Sequence, residues 1–376
     1  MTDAADPSRK VAYHPTTFAA LPGWDEDDHA AAFAAFQSTC GVMLERAEGL
    51  GGSGGHPEST AGMPAIWRAA RDRGSRRVRR AEARQFFEHF FVPHRLHHAS
   101  PHGLLTGYYE PVIEGSRTCT ERFAWPLYRR PPDLENVVAE TDRGRPDVVL
   151  THMRRTPAGL EPYPTRAEIE AGALAGQGLE LIWLADPVDA FFAHVQGSVR
   201  IRLPDGALVG LTYDGKNGHP YTSIGRVVIE RGGIDAAAMT LERLGAWLRA
   251  DTARGREVMQ RNASFVFFRE ANGASALGAL GTPLVPGRSL AVDPAHTALG
   301  LPVFVMSRTL RHWGRRSPFQ RLMLAHDVGS AIRGPERGDI YFGSGEAAGR
   351  RAGQTRHAGR FFVLLPKTQA GGDPAP

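Results

Sequence analysis

Gln320-Arg321-Leu322-Met323-Leu324-Ala325-His326-Asp327-Val328-Gly329-Ser330-Ala331-Ile332-Arg333-Gly334 is the stretch on which the reading of this chain turns. An apolar, strand-like run carries one acid, Asp327, into a group of small residues. Such residues permit close backbone approach or a turn with unusual dihedrals. Two further acids have similar settings: Asp293 in Leu290-Ala291-Val292-Asp293-Pro294, and Asp339 in Arg337-Gly338-Asp339-Ile340-Tyr341-Phe342-Gly343. An acid at the end of an apolar strand is costly to bury, so its presence there calls for a reason. Capping a turn or a helix is one such reason and chemistry is the other. Asp327 is the strongest candidate for chemistry.

Working outward, 376 residues suffice for two domains or one large one. The 43 glycines and 27 prolines favour a turn-rich, mainly β architecture with accessory helices over a helical bundle. The net charge of +5 is mildly basic, but the arginines are dispersed rather than gathered into a stripe with interleaved aromatics. Nucleic acid is one possible partner on charge alone, but with this dispersal an anionic polymer of another kind, or simple solubility, fits equally well. Cys40 and Cys119 are too few for a disulfide scaffold and lack zinc spacing, although they could pair in an oxidising compartment. No run approaches the ~20 apolar residues of a membrane span. No signal peptide is visible either, which points to a cytosolic chain or to a mature or truncated form.

In chain order, residues 1–24 read as an irregular lead-in. A helix is predicted over 27–47, with Phe33, Phe36, Cys40, Met43 and Leu44 on one face, and a glycine-rich break over 49–57. Further helical pattern covers 64–70 and 81–92, where Phe86, Phe87, Phe90 and Phe91 form an apolar stripe suited to core packing. From Gly103 short strands take over, the first spanning 104–113, followed by a loop-rich stretch over 129–166. Asp186-Pro187 reads as a helix start, with an acid at the cap and proline at the first helical position. A hairpin follows, with strands 198–203 and 207–213 around Pro204-Asp205-Gly206. Residues 214–220 read as a polar loop, 227–229 as a strand, 240–262 as helix and 264–268 as a strand. The order of elements places a β-rich insert, 105–238, within a domain built from 15–104 and 239–367. Residues 368–376 have the composition of a disordered tail.

No phosphate loop, HExxH or GxSxG motif is present, and no cysteine or histidine cluster has metal spacing; His94, His97 and His98 lie close together, but His97 and His98 are adjacent and cannot share one helix face. Neither a metal nor a cofactor is therefore expected. Asp327-Val328-Gly329 is similar to the Asp-Thr-Gly of aspartic proteases, but that chemistry needs two copies and only one occurs. Carboxylate chemistry on carbohydrate remains. Tyr108, Tyr109, Tyr213, Tyr221 and Tyr341 could stack on sugar faces, and Gln196, Lys216 and Asn217 could hydrogen-bond to sugar substituents. The loop Lys216-Asn217-Gly218-His219-Pro220-Tyr221-Thr222-Ser223 is densest in such groups.

Several stretches together resemble the membrane-bound lytic murein transglycosylase A family: Thr106-Gly107-Tyr108-Tyr109-Glu110-Pro111, Asp186-Pro187-Val188-Asp189-Ala190-Phe191-Phe192, Val195-Gln196-Gly197-Ser198, Lys216–Arg226 and Ser264–Arg269. The last third, with Asp293, Asp327 and Asp339, resembles that family's three-aspartate domain. In place of the family's Asp-Thr-Gly-Gly stands Asp327-Val328-Gly329-Ser330, with the acid retained. The resemblance implies a double-psi β-barrel domain, an inserted smaller β-barrel and a groove between them for a glycan strand. It implies cleavage of the β-1,4 bond between N-acetylmuramic acid and N-acetylglucosamine of peptidoglycan, leaving a 1,6-anhydromuramoyl end. Asp327 takes the place of the catalytic acid and Asp293 and Asp339 support it. Tyr108, Tyr109, Gln196, Ser198, Lys216, Asn217, Tyr221 and Gly329 become candidates for glycan binding. A periplasmic location, association with the outer membrane and a cell-wall synthesis and hydrolysis complex follow from the family alone. Membrane attachment requires a lipid anchor that this sequence does not display.

The implied reaction suits a single carboxyl group that donates a proton and then takes one back. A helix beginning at Val328 would favour the charged form of that group, whereas burial among Met323, Leu324 and Ile332 would oppose it. A muramidase that uses Asp339 to activate water, and an inactive glycan-binding scaffold, are the competing readings.

Overall fold

The computed structural model describes residues 11–49, 60–74, 78–98, 103–138, 150–271, 276–311 and 317–367. The expected tail 368–376 and most of the break over 49–57 lie outside them. The apolar run around Leu324 forms one long strand, Pro318–Val328, in which Leu322 to His326 are all buried. Burial of successive rather than alternate residues means that both faces of this strand are covered. The helix His29–Gly49 packs against it.

Pro318–Val328 belongs to a ring of six strands. Around the ring stand Arg356–Pro366, Pro302–Arg311, Pro318–Val328, Ser289–Val292, Arg337–Ser344 and Gly103–Glu110, which closes back onto Arg356–Pro366. Ser289–Val292 runs parallel to Pro318–Val328 and antiparallel to Arg337–Ser344. This is the double-psi barrel, and closure removes the free edges that an open sheet would present. The later part of Arg356–Pro366 pairs instead with Phe91–His97, which carries Ala12–Pro15 beyond it. Helices Met63–Arg71 and Arg80–Phe90 pack on His29–Gly49, with Phe33 and Phe36 set edge-on against Phe86 and Phe87. The helix expected to reach Val92 stops at Phe90, because Phe91 onward pairs as a strand.

The described residues fall into two compact units. One takes the chain up to Gly107, Gly278–Tyr341 and the part from Thr355; the other takes Tyr108–Leu277 and Phe342–Gln354. The second unit thus extends past the expected boundary at residue 238. Leu244, Leu248, Val258 and Met259 share a core with Val188, Phe191, Phe192 and Ile224, which holds this helical stretch in the insert. The helix Glu346–Gln354 packs on Leu241–Ala250.

The second unit has its own six-stranded sheet, in the order Val266–Ala271, Leu208–Lys216, Ser198–Arg202, Val112–Ser116, Glu180–Leu184 and Trp125–Tyr128. A bridge between Arg129 and Phe268 closes it into a smaller barrel around Leu127, Ile182, Leu184, Val199, Ile201 and Leu211. Within the stretch 129–166, expected to be loop, Leu134–Asn136, His152–Thr156 and Gly159–Pro162 form a three-stranded sheet. Asp186 does cap the helix Pro187–Gln196, accepting the Val188 N–H at 2.8 Å. Residues 227–229 are helical rather than extended, within Ile224–Glu230 capped by Ser223. Leu208–Lys216 runs on through the first part of the expected polar loop. Cys40 is buried and Cys119 exposed, and both are free.

Candidate active site

The barrel gathers the three acids. Ala291 pairs with Asp327 on one neighbouring strand and with Asp339 on the other. Paired residues on adjacent strands share a face, so the two acids flank one methyl group, with their backbones about 10 Å apart. Two residues further along the central strand is Asp293.

Each acid is held differently. Asp327, half-buried, accepts two backbone N–H groups on Oδ1, from Ala279 at 3.0 Å and Val328 at 2.9 Å. No helix begins behind it. Residues 329–332 make a turn closed by the Ile332 N–H on the Gly329 carbonyl at 2.9 Å, so the helix-terminus field expected there is absent. Asp293 is buried and tied down throughout: Oδ2 accepts the Gly334 N–H at 2.8 Å, Oδ1 accepts the Ala295 N–H at 3.2 Å, and Arg333 stands 3.5 Å away. Its backbone carbonyl also accepts the N–H groups of His296 and Thr297. Asp339 Oδ1 accepts the Thr106 hydroxyl at 2.6 Å. Burial pushes the Asp339 carboxyl above its ordinary range, against the smaller opposing pulls of Thr106 and Arg337.

His326, next to the candidate acid, is enclosed. Its Nδ1 lies 2.9 Å from Ser289 Oγ, which itself accepts the Val285 N–H at 2.8 Å. Burial depresses the imidazole to about 4, so at neutral pH it is an uncharged strut.

In the insert, the backbone N–H of Tyr109 donates to Gln196 Oε1 at 3.1 Å, while the ring of Tyr109 lies against Gly349. Burial, and then the charge of Asp189, raise the Tyr109 phenol. Arg249 bridges Asp186 and Asp189. Deeper in the same unit Arg166 is wholly enclosed, donating to the carbonyls of Asn262 and Ser264 and to His194 Nδ1. Desolvation lowers Arg166 to about 10.

The family model for the MltA specific insert domain matches residues 104–269, and that for the 3D domain matches residues 288–365. A crystal structure of membrane-bound lytic murein transglycosylase from Agrobacterium tumefaciens superposes with a TM-score of 0.84 at 37% identity, covering 95% of this chain and 98% of that one. The chain belongs to the membrane-bound lytic murein transglycosylase A family. The member of that name from Escherichia coli (strain K12) is 38% identical over 272 residues, which make up 71% of this chain but 66%, just under two thirds, of the relative. An Escherichia coli structure with bound chitohexaose matches with a TM-score of 0.65 at 29% identity, covering 95% and 92%.

Within this transglycosylase-family chain, several candidate glycan-binding residues are placed otherwise than their chemistry suggested. Asn217 is fully buried. Its Nδ2 donates to the carbonyls of Pro164 and Ala263, both at 2.9 Å, and its Oδ1 accepts the Phe265 N–H at 2.8 Å. It therefore pins loops together, with both amide hydrogens spent inside the protein and the side chain closed off from solvent. Tyr108, Ser198, Lys216 and Tyr341 are buried as well. Gly329 stays beside the acid, where an added Cβ would come within 2.7 Å of Ile332, so packing accounts for it. Tyr109, Gln196 and Tyr221 keep partial exposure, and Tyr213 is exposed. The backbone donor Ala279 escaped sequence reading, since an N–H group has no residue type to betray it. The buried pair Glu110–Arg200, at 2.9 Å, also went unseen. Among the described residues no cluster of histidine, cysteine or acid could hold a metal, and no helix is long and apolar enough to cross a membrane.

Proposed function

We propose that this protein is a peptidoglycan lytic transglycosylase that cleaves the β-1,4 bond between N-acetylmuramic acid and N-acetylglucosamine with Asp327 as its acid and base. The observation that supports this most is the placement of Asp327: a carboxyl at the end of a barrel strand, half-exposed, one oxygen held by two backbone donors. Asp327 gives its proton to the glycosidic oxygen as the bond from that oxygen to C1 breaks. The resulting carboxylate takes the proton of the muramoyl 6-hydroxyl while that oxygen bonds to C1, closing the 1,6-anhydro ring and restoring the acid. Water is not consumed. Ordinary glycosidases need a second carboxylate to handle water or a covalent intermediate. An internal hydroxyl removes that need, and its pre-positioning supplies much of the rate.

Asp339, which burial keeps from ionising as readily as a free carboxyl, serves as a supporting acid across Ala291. Asp293 serves the site by fixing the loop from Arg333 to Gly334. Tyr109, Gln196 and Tyr221, each partly exposed, are the insert residues taken to contact a glycan strand, a role consistent with the chitohexaose bound by the Escherichia coli relative. The relatives' designation as membrane-bound supports a periplasmic setting at the outer membrane.

Digestion of purified sacculi with mass analysis of the products tests the reading. Anhydromuramoyl ends, which resist borohydride reduction, are expected. Reducible ends would replace it with a hydrolase, and sacculus binding without any release would replace it with a scaffold.

A further inference from the structure

We propose that the turn Gly278–Thr282 is a cradle that fixes the carboxyl group of Asp327, and that Arg46 braces this cradle from the N-terminal helix. The proposal rests on Asp327 being the reacting acid. The turn is tight: the Gly278 N–H donates to the Thr282 carbonyl at 3.0 Å, and the Gly281 N–H donates to the Gly278 carbonyl at 2.8 Å. Leu280 and Leu284 are buried and anchor it to the barrel, while the methyl group of Ala279 is exposed. Only the backbone of Ala279 faces the acid.

Two features make the fit exacting. A Cβ on Gly278 would come within 2.5 Å of the His326 carbonyl oxygen and 2.8 Å of Leu284, so the turn presses directly on the residue before Asp327. On its other side the Ala279 carbonyl accepts Arg46 Nη2 at 3.2 Å. His326 is in turn held from the barrel interior by Ser289. The strand that presents the acid is therefore gripped on both sides. The charged and titratable groups around the acid are Arg46 behind the turn, His326 inside the barrel and Asp339 across Ala291.

The chemical consequence concerns the middle of the reaction. Once the proton has gone to the leaving oxygen, Asp327 is an anion, and the N–H groups of Ala279 and Val328 stabilise it at that stage. Because both donors address Oδ1, the plane of the carboxyl is set before substrate arrives. Gly278, Ala279 and Arg46 are positioning residues.

The decisive variant replaces the Ala279 peptide N–H by an ester oxygen, with lactate introduced for alanine by nonsense suppression. This deletes one donor and leaves the side chain intact. Two readouts are taken on the full chain: the titration of a 13C-labelled Asp327 side-chain carbon, assigned by subtraction of D327N, and the pH profile of kcat/KM on sacculi. The titration midpoint and the alkaline limb are both expected to move up by about one pH unit. Arg46→Ala should shift both in the same direction by less, with Arg46→Lys restoring most of the shift. Gly278→Ala should reproduce the ester effect wherever it folds. A midpoint unchanged in the ester variant overturns the cradle even if the rate falls, because a structural lesion alone would not move it. The titration does not depend on turnover, so a parent protein without lytic activity would remove the functional reading and leave the cradle to be decided on its own.

Discussion

At the end of the large barrel a carboxyl group stands half-exposed on two backbone donors, whereas inside the insert Asn217 is sealed from solvent with both amide hydrogens and its oxygen engaged by backbone groups. One ends an apolar run and the other sits in a loop dense in polar groups, and both suggest chemistry by residue type. Their surroundings separate them. A buried group with all partners satisfied contributes rigidity, because breaking any one bond leaves an orphan in a dry interior. A carboxyl group at a strand end, held but not enclosed, is available for proton transfer. Substitutions at the two places should therefore fail in opposite ways: activity without stability at one, stability without activity at the other.

The largest effect belongs to Asp327→Asn. Release of anhydromuropeptides should fall by about 10²–10⁴-fold, the range attributed to a positioned acid or base, with the melting temperature nearly unchanged. Near-native release from a folded Asn variant would remove Asp327 from its role.

The barrel has its own sealed polar group, which extends the comparison within one unit. Arg288 and Asp27 form a two-pronged pair at 2.8 and 2.9 Å, both buried, and Asp27 also accepts the Leu322 N–H at 2.7 Å. Burial pushes the Asp27 carboxyl up, but the Arg288 charge and the hydrogen bonds together outweigh it and hold the group below its ordinary range. The stability this gives is therefore complete above the ordinary aspartate value and is lost only as pH falls through the lower, folded value. Arg288→Met strands the carboxylate and should cost about 3–5 kcal/mol at neutral pH. Denaturant titrations should show the gap between parent and variant closing in acid. A gap independent of pH would mean that packing, not charge, sustains the pair.

Asn217→Ala comes next, at about 2–4 kcal/mol of stability, since it orphans the Phe265 N–H and the Pro164 carbonyl and leaves the Ala263 carbonyl with the Arg166 N–H alone. Activity per folded molecule should be retained below the lowered melting point. A raised KM with an unchanged melting temperature would return Asn217 to the glycan site.

The contrast also explains what was legible from residues alone. Apolar runs that meet an acid at Asp293, Asp327 and Asp339 are visible because strands need such runs and acids interrupt them, so the strands and the candidate acids follow from one pattern, while the barrel they build was implied by the family resemblance. The helix start at Asp186 is visible for a similar local reason. Depth is not. The loop after Lys216 looks solvent-facing by composition, yet pairing with Val266–Ala271 carries Lys216 and Asn217 inside. The short strands around His152–Thr156 hide in arginine- and proline-rich sequence because cross-strand pairing, not local propensity, forms them. The turn after Val328 looked like a helix start because small residues and an acid serve either purpose.

Asp339 lies between the two extremes, and the smallest expected effect tests it most finely. Its carboxyl shares a row with Asp327 but is buried enough to sit above its ordinary range. A group raised in this way makes the folded state hold its proton more tightly than the unfolded chain does. The sign of its contribution is thus the reverse of Asp27: favourable in acid, and lost as pH rises through the ordinary value toward the folded one. Burying its charge is a burden on the fold as pH rises, retained beside a candidate catalytic acid. Asp339→Asn keeps the shape and an acceptor for Thr106 while removing that charge. A slightly higher melting temperature is expected at pH 7, with the gain vanishing as the buffer is taken down into the carboxylate range, and with a lowered rate on sacculi. That combination would identify Asp339 as a residue kept for activity at the expense of stability. A lower melting temperature at every pH would instead place it with Asn217, as a polar group whose work is to hold the barrel together.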